Sequence, residues 1–234
     1  MYVLQANCRV QFTPGDVDFI LSCFSLEKPQ ARAILQLIAD PEELDSILDD
    51  DRIYRALLER TGCLRVSRHF YFYVMVRHVF RAAGIDDTRV ADYVAEMLAE
   101  FSDTRRARSP MPGGDPPMDH LTDMMAALQK VDDSTAFLIR AHMGNHSLFV
   151  SGVFPDHLRY RTRFRGAPQI EYYEQLGSAN YRAASDHRLA RMYELTAIFD
   201  RLSLQFHTIR LALNDMSDRL LSLGDPEPPP NLCD

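Results

Sequence analysis

A heptad repeat near the C-terminal end of the chain constrains the fold more than any other feature of the sequence. Apolar residues recur every seven positions in two registers that lie three residues apart, at Met192, Phe199, Phe206, Leu213 and Leu220 and at Leu195, Leu202, Ile209, Met216 and Leu223. Heptads with apolar residues at both core positions indicate an α-helix. The pattern predicts one helix over 187–223, on the order of 50 Å long.

The opposite face of this segment is also apolar with a seven-residue period, at Ala190, Ala197, Leu204 and Leu211. A helix that is apolar on two sides is covered by neighbours on two sides. Thr196, Ser203 and Ser217 stand where a coiled coil usually has charged residues. The sequence therefore favours an intramolecular bundle around this helix, and a bundle that also uses the helix in a homodimer is the alternative.

Helix start signals recur along the rest of the chain, because Asp, Ser, Thr or Pro precedes several apolar segments. They predict helices that begin at or near Pro14, Leu26, Asp40, Asp49, Ser67, Asp86, Asp119, Asp132 and Pro168. The aromatic run over 70–76 would also suit a buried strand, but its continuation to Gly84 favours a helix. Its side chains either line a pocket or fill the core. We expect residues 2–12 to form an arm or a segment packed against helices.

These elements predict an all-α fold, a multi-helix bundle in a single domain over 1–224. Residues 103–117 combine four prolines, two glycines and three arginines, so we expect an exposed linker there. Residues 225–234 read DPEPPPNLCD, which predicts a disordered tail.

Composition argues against several classes of protein. The net charge is −7 and acidic residues outnumber basic residues in both halves, which argues against nucleic acid as a partner. The four cysteines are far apart and form no C-x-x-C pair, so no zinc or redox motif is expected from them. No apolar run approaches the roughly 18 residues of a membrane span, and the N-terminal residues lack a signal-peptide pattern. We expect a cytoplasmic protein with reduced thiols, no membrane contact and no cofactor.

The first candidate site is the arginine segment, which we define as residues 159–165. It contains Arg159, Arg161, Arg163 and Arg165. Because Pro155 and Gly166 flank the segment, we expect an extended conformation with four guanidinium groups on one side. Such a cluster needs nearby anions. The arginines pair with the chain's own acids, Glu171 and Glu174 among them, or they bind a protein partner, or they bind phosphate or nucleic acid.

The second candidate site is a pair of histidines one helical turn apart. His142 and His146 lie in the sequence HMGNH, and His157 follows in the next segment. Two imidazoles at this spacing could bind one zinc or iron ion with His157 as the third ligand, although no H-E-x-x-H motif is present. The alternative is a structural role, because Gly144 and Ser147 on the same helix would let a second helix approach closely.

The signature motifs of the common nucleotide-binding and hydrolase folds are absent from the sequence. The stretches HFYFYVMVRHVFRAAGIDD, RVADYVAEMLAEF and GVFPDHLRYRTRFRGAPQIEYYEQLGSANYR resemble segments of uncharacterised bacterial all-helical proteins. The resemblance implies a helical fold and a bacterial cytoplasmic origin, and it implies no mechanism. The sequence favours a non-enzymatic binding or regulatory protein that acts through a protein partner or as a homodimer. The alternative is a metal- or ligand-binding sensor or enzyme with a pocket beside His142 and His146.

Overall fold

The computed structural model describes residues 3–24, 34, 36–38, 40–59, 65–102 and 121–222. The regular structure of these residues consists of helices, and they contain no strands. The all-α prediction is therefore confirmed for this part of the chain. A short 3₁₀ turn covers Arg9–Gln11. The α-helices are α1 (Pro14–Cys23), α2 (Pro41–Leu48), α3 (Asp51–Glu59), α4 (Arg68–Ala82), α5 (Thr88–Phe101), α6 (Leu121–Leu128), α7 (Asp133–Val153), α8 (Pro155–Arg165), α9 (Ile170–Ser185), α10 (Arg188–Met192), α11 (Thr196–Leu204) and α12 (Phe206–Ser222).

Three sequence predictions lie outside the described residues. They are most of the helix over 26–38, the linker over 103–117 and the tail over 225–234. Near the N-terminus, Leu4 and Cys8 are buried in the core, as expected of a segment packed against helices. None of the described helices combines the length and the apolar character that crossing a membrane requires.

The predicted helix starts are confirmed where the capping side chains are described. The Ser67 hydroxyl accepts a hydrogen bond from the N–H of Phe70 at 3.1 Å at the start of α4. Asp87 caps α5 and Asp132 caps α7 in the same way, each through one carboxylate oxygen that accepts from two backbone N–H groups. These bonds satisfy donors that a helix start leaves without intrahelical partners, and a carboxylate also complements the helix dipole.

The aromatic run over 70–76 fills the core. Phe70 and Tyr73 have no exposed surface, and Val74, Met75 and Val76 are at most 1% exposed. α4 packs along α5, and α9 packs extensively against both α7 and α11. α12 contacts both α4 and α7. Tyr71 and Phe72 of the run are partly buried and pack against this core. The described part of the run therefore contributes to the helix packing.

The predicted single helix over 187–223 is not confirmed, because α10, α11 and α12 divide this segment. A Schellman motif ends α10. The N–H of Leu195 donates a hydrogen bond to the carbonyl oxygen of Ala190 at 2.7 Å, as is typical of this motif. Glu194 adopts a φ of 57° there, and the Arg89 side chain donates to its carbonyl oxygen at 3.0 Å. A contact from α5 thus supports a left-handed turn at a residue that is not glycine.

The heptad pattern nevertheless predicts which side of this segment is buried. The buried heptad residues are Leu195, Phe199, Leu202, Phe206, Ile209, Leu213 and Met216. On the opposite face, Leu204 is 77% exposed and Leu211 is 47% exposed. α10 departs from the pattern, because Met192 is 62% exposed and Ala190 is buried. From Leu195 onward the described structure covers one of the two apolar faces. The backbone changes between α11 and α12 at Gln205 without changing which side faces the core.

Candidate ligand-binding pocket

The arginine segment is helical, so the predicted extended conformation is wrong. Pro155 occupies the first turn of α8, where its restricted φ favours a helix start. Gly166 adopts a φ of 63° directly after the last helical residue, which is the usual geometry of a helix end. The two residues that argue against a helix in the sequence instead mark its ends. Because α8 is a helix, its four arginines point in different directions.

Arg161 is the arginine of the segment that turns inward. Its side chain is half-buried, and it forms no ion pair with any described residue. Arg159, Arg163 and Arg165 are exposed. Arg159 contacts the Asp156 carboxylate at 2.8 Å, and the guanidinium of Arg163 lies 5.3 Å from the ring centroid of Phe164.

The expected pairing of the arginine segment with acids of α9 is not observed among the described residues. Glu174 instead forms an ion pair with Arg210 of α12, and its carboxylate lies 2.9 Å from Nδ1 of His207. α9 thus directs this carboxylate toward α12 and away from α8. Asp156, which precedes Arg161 by five residues, pairs with Arg159, so neither Asp156 nor Glu174 neutralises the charge of Arg161.

A pocket of about 580 Å³ lies where α6, α7, α8 and α9 meet. Its volume is within the range of about 300–1,000 Å³ that is typical of small-molecule sites. Most of the wall is apolar or aromatic and consists of Leu121, Phe149, Val150, Phe154, Pro168, Tyr172 and Tyr173. The rings of Phe149 and Phe154 meet edge to face with centroids 5.4 Å apart, which gives the pocket a rigid aromatic side.

The polar groups of the pocket are cationic or neutral. His146 of α7 and both His157 and Arg161 of α8 line it, together with Thr122, and no carboxylate belongs to its described lining. Burial raises the pKa of Tyr173, and the positive charge of Arg161 acts in the opposite direction, so the two side chains are within electrostatic reach. The electrostatics of the pocket therefore favour an anion.

The three predicted metal-ligating histidines do not converge. His146 and His157 line the pocket, whereas His142 is buried beside Phe101, with ring centroids 5.5 Å apart. The rings of His142 and His146 are 6.4 Å apart between centroids. The three histidines are not among the groups whose ligand atoms lie within 4.8 Å of one another in the described chain. The structure instead brings His146 and His157 together with Arg161.

One cluster of ligand-type side chains has no counterpart in the sequence predictions. His69 of α4 lies beside Glu96 and Glu100 of α5, and all three are buried. His69 is not separated from any other histidine by a spacing that is typical of two ligands to one metal ion. The sequence feature that could have indicated this cluster is the i, i+4 spacing of the two glutamates. This spacing places them on one face of a helix that is otherwise largely apolar.

No protein-family model, curated protein or solved structure matches this chain. The chemistry of the pocket and of the buried cluster is therefore the basis for assigning a function.

Proposed function

We propose that this chain is a ligand-binding protein that takes a small organic anion with an apolar or aromatic body in the pocket between α6, α7, α8 and α9. The observation that supports this function is the combination of aromatic walls with Arg161, His146 and His157, and the lack of any carboxylate in the described lining. The chain as a whole carries 33 acidic residues against 26 basic ones, whereas the charge-bearing side chains of the described lining are basic.

The two parts of such a ligand would be bound by different forces. Its apolar body would gain about 25 cal/mol for each Å² of apolar surface removed from water against Phe149, Phe154 and the two tyrosines. Its anionic group would accept charge-assisted hydrogen bonds from Arg161, which contribute about 1.5–3 kcal/mol each. Because Arg161 is half-buried, we expect the lower end of this range.

Replacing Arg161 with glutamine should weaken binding of an anionic aromatic probe at least tenfold. The probe is 1-anilinonaphthalene-8-sulfonate, and a charge-assisted bond of about 1.4 kcal/mol corresponds to a tenfold change in Kd. The neutral analogue N-phenyl-1-naphthylamine should bind the wild type and Arg161→Gln with similar affinity, because it makes only the apolar contacts. Both titrations are followed by the fluorescence of the probe.

Arg163→Gln is the matched control, because Arg163 lies on the same helix, is exposed and does not line the pocket. It should leave the affinity for both probes unchanged. Equal loss of sulfonate binding in the two variants would show that the effect is the net charge of the chain and would contradict the proposal.

A second candidate function is binding of a protein partner through the outer face of α8, which we define as Arg159, Tyr160, Arg163 and Phe164. Tyr160 is 55% exposed and Phe164 is 63% exposed, and their ring centroids are 4.9 Å apart. Two exposed aromatic rings in contact, flanked by arginines, have the composition of interface hot spots.

Tyr160→Ser combined with Phe164→Ser should abolish co-purification of a partner, or dissociate a homodimer if the partner is a second copy. Affinity capture from the source cells and sedimentation equilibrium measure the two cases. Val10→Ser is the control, because it removes an exposed apolar side chain, 84% accessible, from the 3₁₀ turn near the N-terminus and not from α8 or the C-terminal helices. A partner or dimer that persists in the double variant excludes this face as the interface.

A further inference from the structure

Three buried side chains of metal-ligating type meet between α4 and α5. His69 is 8% exposed, Glu96 is 2% exposed and Glu100 is 6% exposed. One ligand atom from each residue can be chosen so that all three atoms lie within 4.8 Å of one another. The two glutamates are one helical turn apart near the end of α5, and His69 faces them from the first turn of α4.

The imidazole of His69 is directed at this cluster without a hydrogen-bond partner. Its Nε2 atom is inaccessible to solvent and accepts or donates no hydrogen bond within the described part of the chain. Oε2 of Glu96 lies 3.7 Å from this nitrogen, which exceeds hydrogen-bond length. A buried polar atom without a partner carries a desolvation cost, and a bound water or metal ion at this position would relieve that cost.

The neighbours of the cluster hold the ligands in place. Nε2 of Gln11 donates to both carboxylate oxygens of Glu96 at 2.9 Å, and Sγ of Cys8 donates to the backbone carbonyl of His69 at 3.2 Å. Hydrogen bonds of this kind orient ligating side chains in metal sites. The geometry of the cluster is thus supported by the segment that precedes α1.

A cationic side chain, that of Arg68 in α4, lies beside the cluster. Arg68 reaches Glu100 at 3.9 Å, but its side chain is 47% exposed. Burial raises the pKa of Glu96 to about 7, the bond from Gln11 opposes this effect, and the charges of Glu100 and Asp92 add to it. Burial also lowers the pKa of His69.

We propose that His69, Glu96 and Glu100 bind a divalent first-row transition-metal ion, with Zn²⁺ and Mn²⁺ as the ions that suit this ligand set. One imidazole nitrogen and two carboxylates combine ligands that zinc and manganese both accept. Two ligands at bond lengths of about 2.0–2.1 Å in tetrahedral geometry are about 3.4 Å apart. The 3.7 Å between His69 and Glu96 is therefore close to the separation that an ion requires. The site is separate from the pocket.

Metal-free protein, prepared with a chelator, should bind one Zn²⁺ or one Mn²⁺ ion per chain in isothermal titration calorimetry, and Mg²⁺ should bind at least tenfold more weakly. Glu96→Gln, Glu100→Gln and His69→Gln should each weaken binding of the preferred ion at least tenfold. The double variant His146→Gln/His157→Gln is the control and should bind the ion as the wild type does, because both residues belong to the pocket.

Thermal unfolding separates loss of the site from loss of the fold. Metal-free Glu96→Gln should remain folded, with a melting temperature close to that of the metal-free wild type. The substitution removes a buried charge, which offsets the loss of one of the two hydrogen bonds from Gln11. The metal should raise the melting temperature of the wild type and leave that of Glu96→Gln unchanged. Absence of Zn²⁺ and Mn²⁺ binding by the wild type, or binding that survives all three single substitutions, overturns the proposal.

Discussion

Replacement of Asn145 with leucine should lower the free energy of unfolding by about 4 kcal/mol. The Oδ1 atom of Asn145 accepts hydrogen bonds from the hydroxyl groups of Tyr93 at 3.0 Å and Tyr181 at 2.8 Å. Both tyrosines have no exposed surface, and Asn145 is 4% exposed. Leucine has a similar volume, so the variant removes the shared acceptor without opening a cavity, and each hydroxyl group that loses it costs about 1–3 kcal/mol.

Urea denaturation followed by circular dichroism measures this loss. Tyr93→Phe and Tyr181→Phe should each cost only about 1 kcal/mol, because Asn145 keeps one donor in either variant. Combining Asn145→Leu with both phenylalanine substitutions should recover most of the lost stability, because the two hydroxyl groups that need the acceptor are then absent. If Asn145→Leu alone is no less stable than the single Tyr→Phe variants, the three side chains do not form a buried polar network.

Gly177→Ala in α9 should destabilise the protein by about 2 kcal/mol, although alanine is the better helix former by about 1 kcal/mol. A Cβ atom at position 177 would overlap Cε2 of Phe206 and would lie 2.8 Å from Cβ of Ser147. These distances are far below van der Waals contact, and Phe206 is buried in the core, so the ring cannot move aside without disturbing its neighbours. The steric cost therefore exceeds the gain in helix propensity.

Gln175→Ala is the matched control for Gly177→Ala, because Gln175 is exposed on the same helix and two residues away. It should change the free energy of unfolding by less than about 0.5 kcal/mol. Phe206→Leu introduced together with Gly177→Ala should restore part of the stability by making room for the methyl group. A stabilising effect of Gly177→Ala alone would mean that α9 lies farther from α7 and α12 than the structure shows.

Both predictions concern the small and polar residues that surround the histidine pair. The sequence predicts that Gly144 and Ser147 allow close approach of another helix, and this is confirmed. A Cβ atom on Gly144 would lie 2.7 Å from the ring of Tyr181 in α9. One face of α7 therefore packs tightly on α9, while His146 on a different side of the same helix lines the pocket. A single helix thus supplies both the core contact and the pocket wall.

Local sequence determines the helix starts and the buried face of the C-terminal segment. Asp87 and Asp132 accept hydrogen bonds from backbone N–H groups two or three residues away. The heptad residues lie on one face of a helix because of their fixed spacing. Helix starts and buried helix faces depend on residues that are close in the sequence, so they can be predicted without a tertiary structure. The same reasoning fails at Glu194, where the helix ends because Arg89 of α5 supports a left-handed turn.

The candidate sites depend on contacts between helices, and only the tertiary structure decides them. His146, His157 and Arg161 are all recognisable in the sequence as groups able to bind an anion or a metal, but their convergence on one pocket requires α8 to be helical and to pack beside α7. His69 comes within reach of Glu96 and Glu100 because α4 lies against α5. Helix periodicity is set by residues three and four apart, whereas the meeting of distant side chains is set by packing, which local sequence does not encode.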